Sequence, residues 1–374
     1  MTFPLASKKR IRVLVVDDSP VAREFLTSLV ESDPELEALP PASNGHEAVQ
    51  AVEKLRPDVV TMDINMPRMN GFEATEIIMQ KWPTPIIIVS ASWSMEEVRT
   101  TFNAIEAGAV AVLPRPHGVG HPNFEAESRE LLLTVKSMSE VKLVRRRAPR
   151  DKDAANGGPS KAVPTVSALM ERGRFPSTAL VVLGASTGGP IVLQTILTRL
   201  PKDLPVPVVI VQHMAAGFVD GFVHWLHDTS GFPTHVAKHD EIMKAGNAYV
   251  APDGHHLNIV AGLKMILNRN PPEAGLRPAV SQLFRSAAGA YGPRAMAVLL
   301  NGMGVDGAQE MKELKDLGAP TIAQDKESSV VFGMPGEAIR LGGHCWIMAP
   351  ANIGEFIGEF VLRQGTHLEK TGVY

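Results

Sequence analysis

Short, unbroken apolar runs recur along this chain, and most of them end on a residue able to do chemistry. Residues 11–16 run into Asp17 and Asp18, residues 58–62 into Asp63, and residues 86–89 into Ser90. Further on, residues 179–183 lead into Gly184-Ala185-Ser186, residues 206–211 into Gln212-His213, and residues 295–300 into Asn301 and the turn that carries Asp306. A strand buried on both faces reads as a continuous apolar run, whereas a half-exposed strand alternates. Segments of helical spacing separate these runs, so the pattern is one of βα units around parallel sheets. In such sheets the carboxyl ends of neighbouring strands open onto one crevice, where ligands bind.

The alternation occurs twice. In the first half, a further strand is expected at residues 110–113 and a weaker one near 36–39. Ser19-Pro20 caps a helix that buries Ala22, Phe25, Leu26 and Leu29. A polar helix over about 125–144 leads out, and Arg145-Arg146-Arg147 opens a stretch rich in charge, Gly, Pro and Ser that reads as a linker. The expected division is residues 10–140, a linker at 141–177 and a second domain at 178–368. A length of 374 residues agrees, being more than one core usually spans. The second domain reads as a doubly wound, mostly parallel sheet. Residues 257–260 and 263–267 flank Ala261-Gly262 as a β-hairpin, and further strands lie at 321–323 and 345–348.

Bulk properties exclude several classes. A net charge of −3 gives no reason to expect nucleic acid or a membrane surface as the main partner. A single cysteine, Cys345, builds neither a disulfide framework nor a thiolate metal site, which suits a reducing cytoplasm. The first ten residues lack the apolar core of a signal peptide. No apolar run reaches the roughly 18–20 residues that span a bilayer, so a soluble protein is expected.

Gly184-Ala185-Ser186-Thr187-Gly188 matches the G-x-S-x-G turn that lifts a serine hydroxyl clear of the backbone. Pro190 and the stripe Leu193, Ile196, Leu197 and Leu200 place that serine at a helix N-terminus, where free N–H groups stabilise an oxyanion. The competing reading is a phosphate-binding glycine turn, but G-x-G-x-x-G is absent. With His213 and Asp306 each following a strand end, the pattern points to a triad. Ser186 is its nucleophile, His213 its base and Asp306 its orienting acid, with backbone N–H groups at Thr187 and Met303 as oxyanion donors. Asp240, Asp253 and Asp325 are rival acids. The pairs His224/His227 and His235/His239 have metal-like spacing but no carboxylate to complete a zinc set. His255 and His256 read as loop or rim positions, and Cys345 as core.

In the first domain, Asp17, Asp18 and Asp63 meet at strand ends and would repel one another unless a hard cation shares them. Mg²⁺ suits carboxylate oxygens and keeps room for a phosphoryl oxygen, which leaves Asp63 to act as nucleophile toward a phosphodonor. An acidic rim without metal is the alternative.

Several motifs together resemble the chemotaxis protein-glutamate methylesterase family: Gly184-Ala185-Ser186-Thr187-Gly188-Gly189-Pro190, Gln212-His213-Met214, Ala251-Pro252-Asp253-Gly254, Leu283-Phe284-Arg285-Ser286-Ala287-Ala288 and Gly302-Met303-Gly304-Val305-Asp306-Gly307. The run from Ala323-Gln324-Asp325 to Met334-Pro335 joins them. The resemblance implies hydrolysis of γ-glutamyl methyl esters on chemoreceptors with release of methanol, and deamidation of receptor glutamines. It puts Ser186, His213 and Asp306 on the triad positions. The acidic cluster with Ser90 resembles a response-regulator receiver of flavodoxin-like fold. That implies phosphorylation of Asp63 by a histidine kinase, with Mg²⁺, relieving a block of the esterase crevice by the receiver. Three positions depart from the pattern. Asn301 stands in place of a threonine, Arg115 in place of the lysine that pairs with the phosphoryl group, and Val112 where a switch aromatic often lies. The resemblance also implies a cis bond before Pro116. Because of Arg115 and Val112, an alternative function is a signalling adaptor with weak or phosphorylation-independent esterase activity. A nucleotide-binding module rests on the glycine turn alone.

Overall fold

The computed structural model describes residues 9–90, 107–141 and 175–371, with side chains to residue 364. The chain divides into two compact units, Met1–Arg150 and Asp151–Tyr374. Residues 142–174, which include the arginine run and most of the expected linker, lie outside the described residues, as do residues 91–106.

The first unit contains strands β1 (Ile11–Val16), β2 (Leu36–Ala38), β3 (Val59–Met62), β4 (Ile86–Ser90) and β5 (Ala111–Pro114), with helices α1 (Pro20–Glu31), α2 (Gly45–Leu55), α3 (Gly71–Lys81) and α4 (Phe124–Ser139). The strands lie in the order β2-β1-β3-β4-β5 and every pair is parallel. All residues of β3 and β4 are buried, the state their unbroken apolar runs call for. Ser19 caps α1 by accepting from the Ala22 N–H, with Pro20 in the first turn. Phe25 departs from expectation: it is half-buried, Val30 takes the core place, and Phe25 instead packs 6.3 Å from Phe124 across a groove between α1 and α4.

The second unit begins with β6 (Leu180–Ala185), α5 (Gly189–Arg199), β7 (Val208–Gln212), α6 (Val219–Ser230), β8 (Thr234–Val236) and β9 (Ala248–Val250). The hairpin strands β10 (His256–Val260) and β11 (Lys264–Asn268), α7 (Val280–Tyr291) and β12 (Ala295–Leu299) follow. It ends with α8 (Ala308–Asp316), β13 (Thr321–Gln324), α9 (Met334–Arg340), β14 (Trp346–Met348) and α10 (Pro350–Thr371). The large sheet runs β14-β13-β12-β6-β7-β9-β8, and all its pairs are parallel. The expected "mostly parallel" sheet is therefore wholly parallel, because the antiparallel hairpin stands apart as its own two-stranded sheet. Strands β8 and β9 were not anticipated; at three residues each they are too short for a periodicity to register.

Strand β6 lies inside the sheet between β12 and β7, so the residue after it is held from both sides. The helix that follows, α5, buries Val192, Leu193, Ile196 and Leu197. Helix α10 braces it: the bare Gly354 sits so close that a Cβ there would lie 2.6 Å from the Ile196 carbonyl oxygen. Trp346, Phe356 and Phe360 form an aromatic cluster under α10, with Phe175 added from the start of the unit. Among the described residues no helix is long and apolar enough to cross a membrane.

Candidate active site

The turn after β6 is shaped by what surrounds it. Gly188 has φ +80, and a Cβ there would also press to 2.5 Å from Asn301 Nδ2, so glycine is required twice over. Ser186 is half-buried, and its N–H donates to the Asn301 carbonyl at 3.0 Å. That bond removes the Ser186 N–H from oxyanion duty. The neighbouring Thr187 N–H has no partner among the described residues and lies two residues before α5, whose dipole favours negative charge there. Gly302 leaves the space the serine occupies: a Cβ on Gly302 would fall 2.6 Å from Ser186 Cβ and 2.4 Å from Met334 Sδ. Met303, the next residue, is 38% exposed at the lip of the same turn.

His213 arrives from the adjacent strand, its N–H donating to the Ala185 carbonyl at 3.0 Å. Its imidazole Nε2 lies 2.9 Å from Asp306 Oδ2, an ion-pair distance although the approach is oblique to a strong hydrogen bond. Nδ1 is then the nitrogen left to face the serine. Among the described residues the Ser186 hydroxyl has no hydrogen-bond partner, and a relay between serine and histidine would need a side-chain movement of the kind that tightens such bonds in a substrate complex.

Asp306 is fixed by the start of α7. Oδ2 accepts from the Val280 N–H at 2.6 Å, and Oδ1 accepts from the Ser281 N–H at 2.9 Å and from the Ser281 hydroxyl. Burial works against its charge. The close approach of His213, joined by the Ser281 donors, outweighs burial and holds this carboxyl below the usual range. The acid is thus ionised and aimed.

The rival acids have other work. Asp253 accepts from the Gly217 N–H at 2.6 Å, Asp240 pairs with Lys264 at 2.7 Å on the surface, and Asp325 caps the turn at the Ser328 N–H at 3.0 Å. Three of the metal-spaced histidines have local partners as well: His224 faces the Asp220 carbonyl, His235 faces Asn247, and His239 accepts from the Leu267 N–H. Three expectations are corrected. His256 is not a rim residue; it is fully buried at the start of β10 and faces the Pro271 carbonyl. Cys345 is half-buried, because it precedes the short edge strand β14 and does not lie within it. The bond before Pro116 is not cis; among the described residues the cis bond is Arg277–Pro278.

In the first unit, Asp17, Asp18 and Asp63 converge as expected, with one ligand atom from each lying within 4.8 Å of the others. Asp63 is 8% exposed, and burial, with the charge of Asp17 added, pushes its pKa up to about 6. Asp17 is raised by burial too, against the Ser19 N–H and Arg115. Two backbone carbonyls of this loop, those of Asp17 and Asp18, accept from Arg23. An all-oxygen donor set whose ionised form is disfavoured by burial and mutual repulsion fits a hard divalent cation, which would offset both. Arg115 reaches the cluster from the end of β5, with Nη1 3.1 Å from Asp17 Oδ2, and its N–H donates to the carbonyl of the buried Ser90. Val112 is half-buried within β5.

Sequence reasoning missed the supports. Val280 and Ser281, which hold Asp306, sit at a helix start whose only signal was the amphipathic run behind them. Gln212 was seen as part of a motif without a role, yet a polar residue ending a wholly buried strand is itself a signal.

Two family models match the chain: the response regulator receiver domain over residues 13–120 and the CheB methylesterase over residues 181–357. The class so defined is a response regulator that carries its own hydrolase unit. A protein-glutamate methylesterase/protein-glutamine glutaminase of Nitrosospira multiformis is 49% identical over 95% of this chain and 98% of its own. One from Geobacter metallireducens is 51% identical over 92% of this chain and 96% of its own. The crystal structure of the Thermotoga maritima CheB methylesterase catalytic domain aligns at 38% identity over 50% of this chain and all of that one, with a TM-score of 0.48. The chain belongs to the protein-glutamate methylesterase/protein-glutamine glutaminase family.

Proposed function

We propose that this protein hydrolyses γ-glutamyl methyl esters on chemoreceptors and deamidates receptor glutamines, acting from the cytoplasm under control of its receiver domain. Residues 10–140 form the receiver and residues 178–368 the catalytic domain, joined by the linker at 141–177. The observation that supports the reading is the His213–Asp306 pair at 2.9 Å, with Ser186 following the carboxyl end of β6, which lies between the parallel strands β12 and β7 that lead to Asp306 and His213.

Ser186 Oγ attacks the ester carbonyl carbon while His213 takes its proton. The oxyanion is received by the backbone N–H groups of Thr187 and Met303. His213 then protonates the methoxy oxygen, methanol leaves, and the glutamyl group remains as an ester on Ser186. Water attacks that ester with His213 again as base, and a glutamate carboxylate is released. A glutamine side chain follows the same course with ammonia as the leaving group. Asp306 stays ionised throughout and holds the imidazole in the tautomer that can accept the serine proton.

Asp63 accepts a phosphoryl group from a histidine kinase. Asp17, Asp18 and Asp63 would hold Mg²⁺, which supplies charge neutralisation for the incoming phosphoryl oxygens. Arg115 and Ser90 stand at the same strand ends to receive those oxygens. No observation favours a purely adaptor role.

The test is methanol release from methyl-labelled receptor membranes, with and without a small phosphodonor. Ser186→Ala is expected to abolish release, and Asp63→Ala to remove the response to phosphodonor. Release that survives Ser186→Ala would eliminate the nucleophile.

A further inference from the structure

Two glutamines flank the strands that carry the nucleophile. Gln212 ends β7 and Gln324 ends β13, so in the order β13-β12-β6-β7 they stand one on either side of the pair β12-β6. Both are buried, at 3% and 0% exposure. Gln324 Oε1 accepts from the Asn301 N–H at 2.8 Å, and the Asn301 carbonyl accepts from the Ser186 N–H. On the other side, Gln212 Nε2 donates to the Ser186 carbonyl at 2.9 Å and to the His213 carbonyl at 2.7 Å.

We infer that Gln212 is a positioning residue that sets the distance between nucleophile and base. This inference rests on the triad reading above. A carboxamide nitrogen carries two N–H donors in one plane. Here one goes to the backbone of the nucleophile and the other to the backbone of the base, so a single rigid group spans both. Only the NH₂ end can face two carbonyls; the amide oxygen is therefore turned away, where it is buried without a partner. A buried acceptor left unpaired is costly, and a methionine would fill the same space without that cost. Local rules broken in this way are expected at functional sites.

The opposite wall fits the same role. A Cβ on Gly189 would lie 2.0 Å from Gln212 Oε1, so the missing side chain at 189 is what lets the amide reach under the serine turn. Gly189 itself donates to the Ser186 carbonyl at 2.8 Å, so that one oxygen accepts from both. Gln212 touches no reacting atom. It acts through the two backbones it joins, and its loss would let the His213 loop drift from the Ser186 turn.

The test compares wild type, Gln212→Met, His213→Ala, the double variant Gln212→Met/His213→Ala and Ser186→Ala in the full-length protein, by methanol release from receptor membranes and by melting temperature. Gln212→Met is expected to lower kcat about 10- to 100-fold with KM changed by less than about twofold, since misplacement costs turnover more than binding. Its melting point should remain within a few degrees. The double variant should be no slower than His213→Ala alone, because a residue that works by placing the base has nothing left to place. Should Gln212→Met not fold, Gly189→Ala, which displaces the same amide, is expected to give the same kcat loss and the same absence of further loss with His213→Ala. A kcat equal to wild type, or losses that multiply in the double variant, would overturn the inference. If either occurs while Ser186→Ala is inactive, the triad stands and only the role of Gln212 falls.

Discussion

Asp306 has two duties, and they share its two carboxylate oxygens. It orients His213, and it accepts two backbone N–H groups at the start of α7. Asp306→Asn puts an NH₂ where one of two accepting oxygens stood, opposing either the Val280 N–H and His213 or the Ser281 donors; with the NH₂ on the histidine side the imidazole is driven to the wrong tautomer. The expected loss in kcat is about 10⁴-fold, the size known for that error in serine triads. A loss below about tenfold in methanol release would remove Asp306 from the relay. Asp63 offers a second residue-level test. Its pKa is raised from 3.8 to about 6, so the fold favours its neutral form. Between those two values the native state binds more protons than the unfolded chain, and receiver stability should therefore fall as pH rises through that window. Mg²⁺ needs the ionised carboxylates, so it should stabilise the receiver more at about pH 7.5 than at about pH 5. Thermal melts with and without Mg²⁺ at the two pH values check the sign; an equal rise at both would remove the acidic cluster as the metal site.

At the scale of elements, the site depends on turns that leave room for one another. Gly302→Ala would drive a methyl group into Ser186 Cβ and Met334 Sδ. It should cost about 1–3 kcal/mol of stability by overpacking, and activity should fall toward the level of Ser186→Ala because the serine is pushed out of its place in the turn. Titration by denaturant alongside the methanol assay would check both; full activity would mean the turn can yield. Much of this was legible beforehand. The strands that carry Asp63, Ser186 and His213 announced themselves because burial on both faces demands unbroken apolar runs, and the groups that follow them had only one crevice to enter. What stayed hidden was of two kinds. Strands β8 and β9 are too short to show a period, and their place comes from pairing beside β7. The supports at Ser281, Gln212 and Gln324 act across long sequence separations, through side chain to backbone bonds that no spacing reveals. His256 was misplaced for a related reason: a histidine beside the Pro252-Asp253-Gly254 turn looks solvated until the segment packed beside it, which contributes Pro271, is known.

Among the described residues each of the two units buries apolar residues of its own. Calorimetry of the full chain is expected to show two unfolding transitions, with Mg²⁺ raising the midpoint of the receiver transition alone, since a ligand stabilises only the unit that binds it. A single transition shifted as a whole would mean that the two cores melt together. The arrangement of the large sheet has one more consequence. Strand β6 begins at Leu180, but its partner β12 begins only at Ala295, and from beyond β12 come Asn301, Gly302 and Asp306. During synthesis the serine leaves the ribosome long before the strand and turn that seat it. A nascent chain is therefore expected to stay without esterase activity until the segment through Asp306 has been translated.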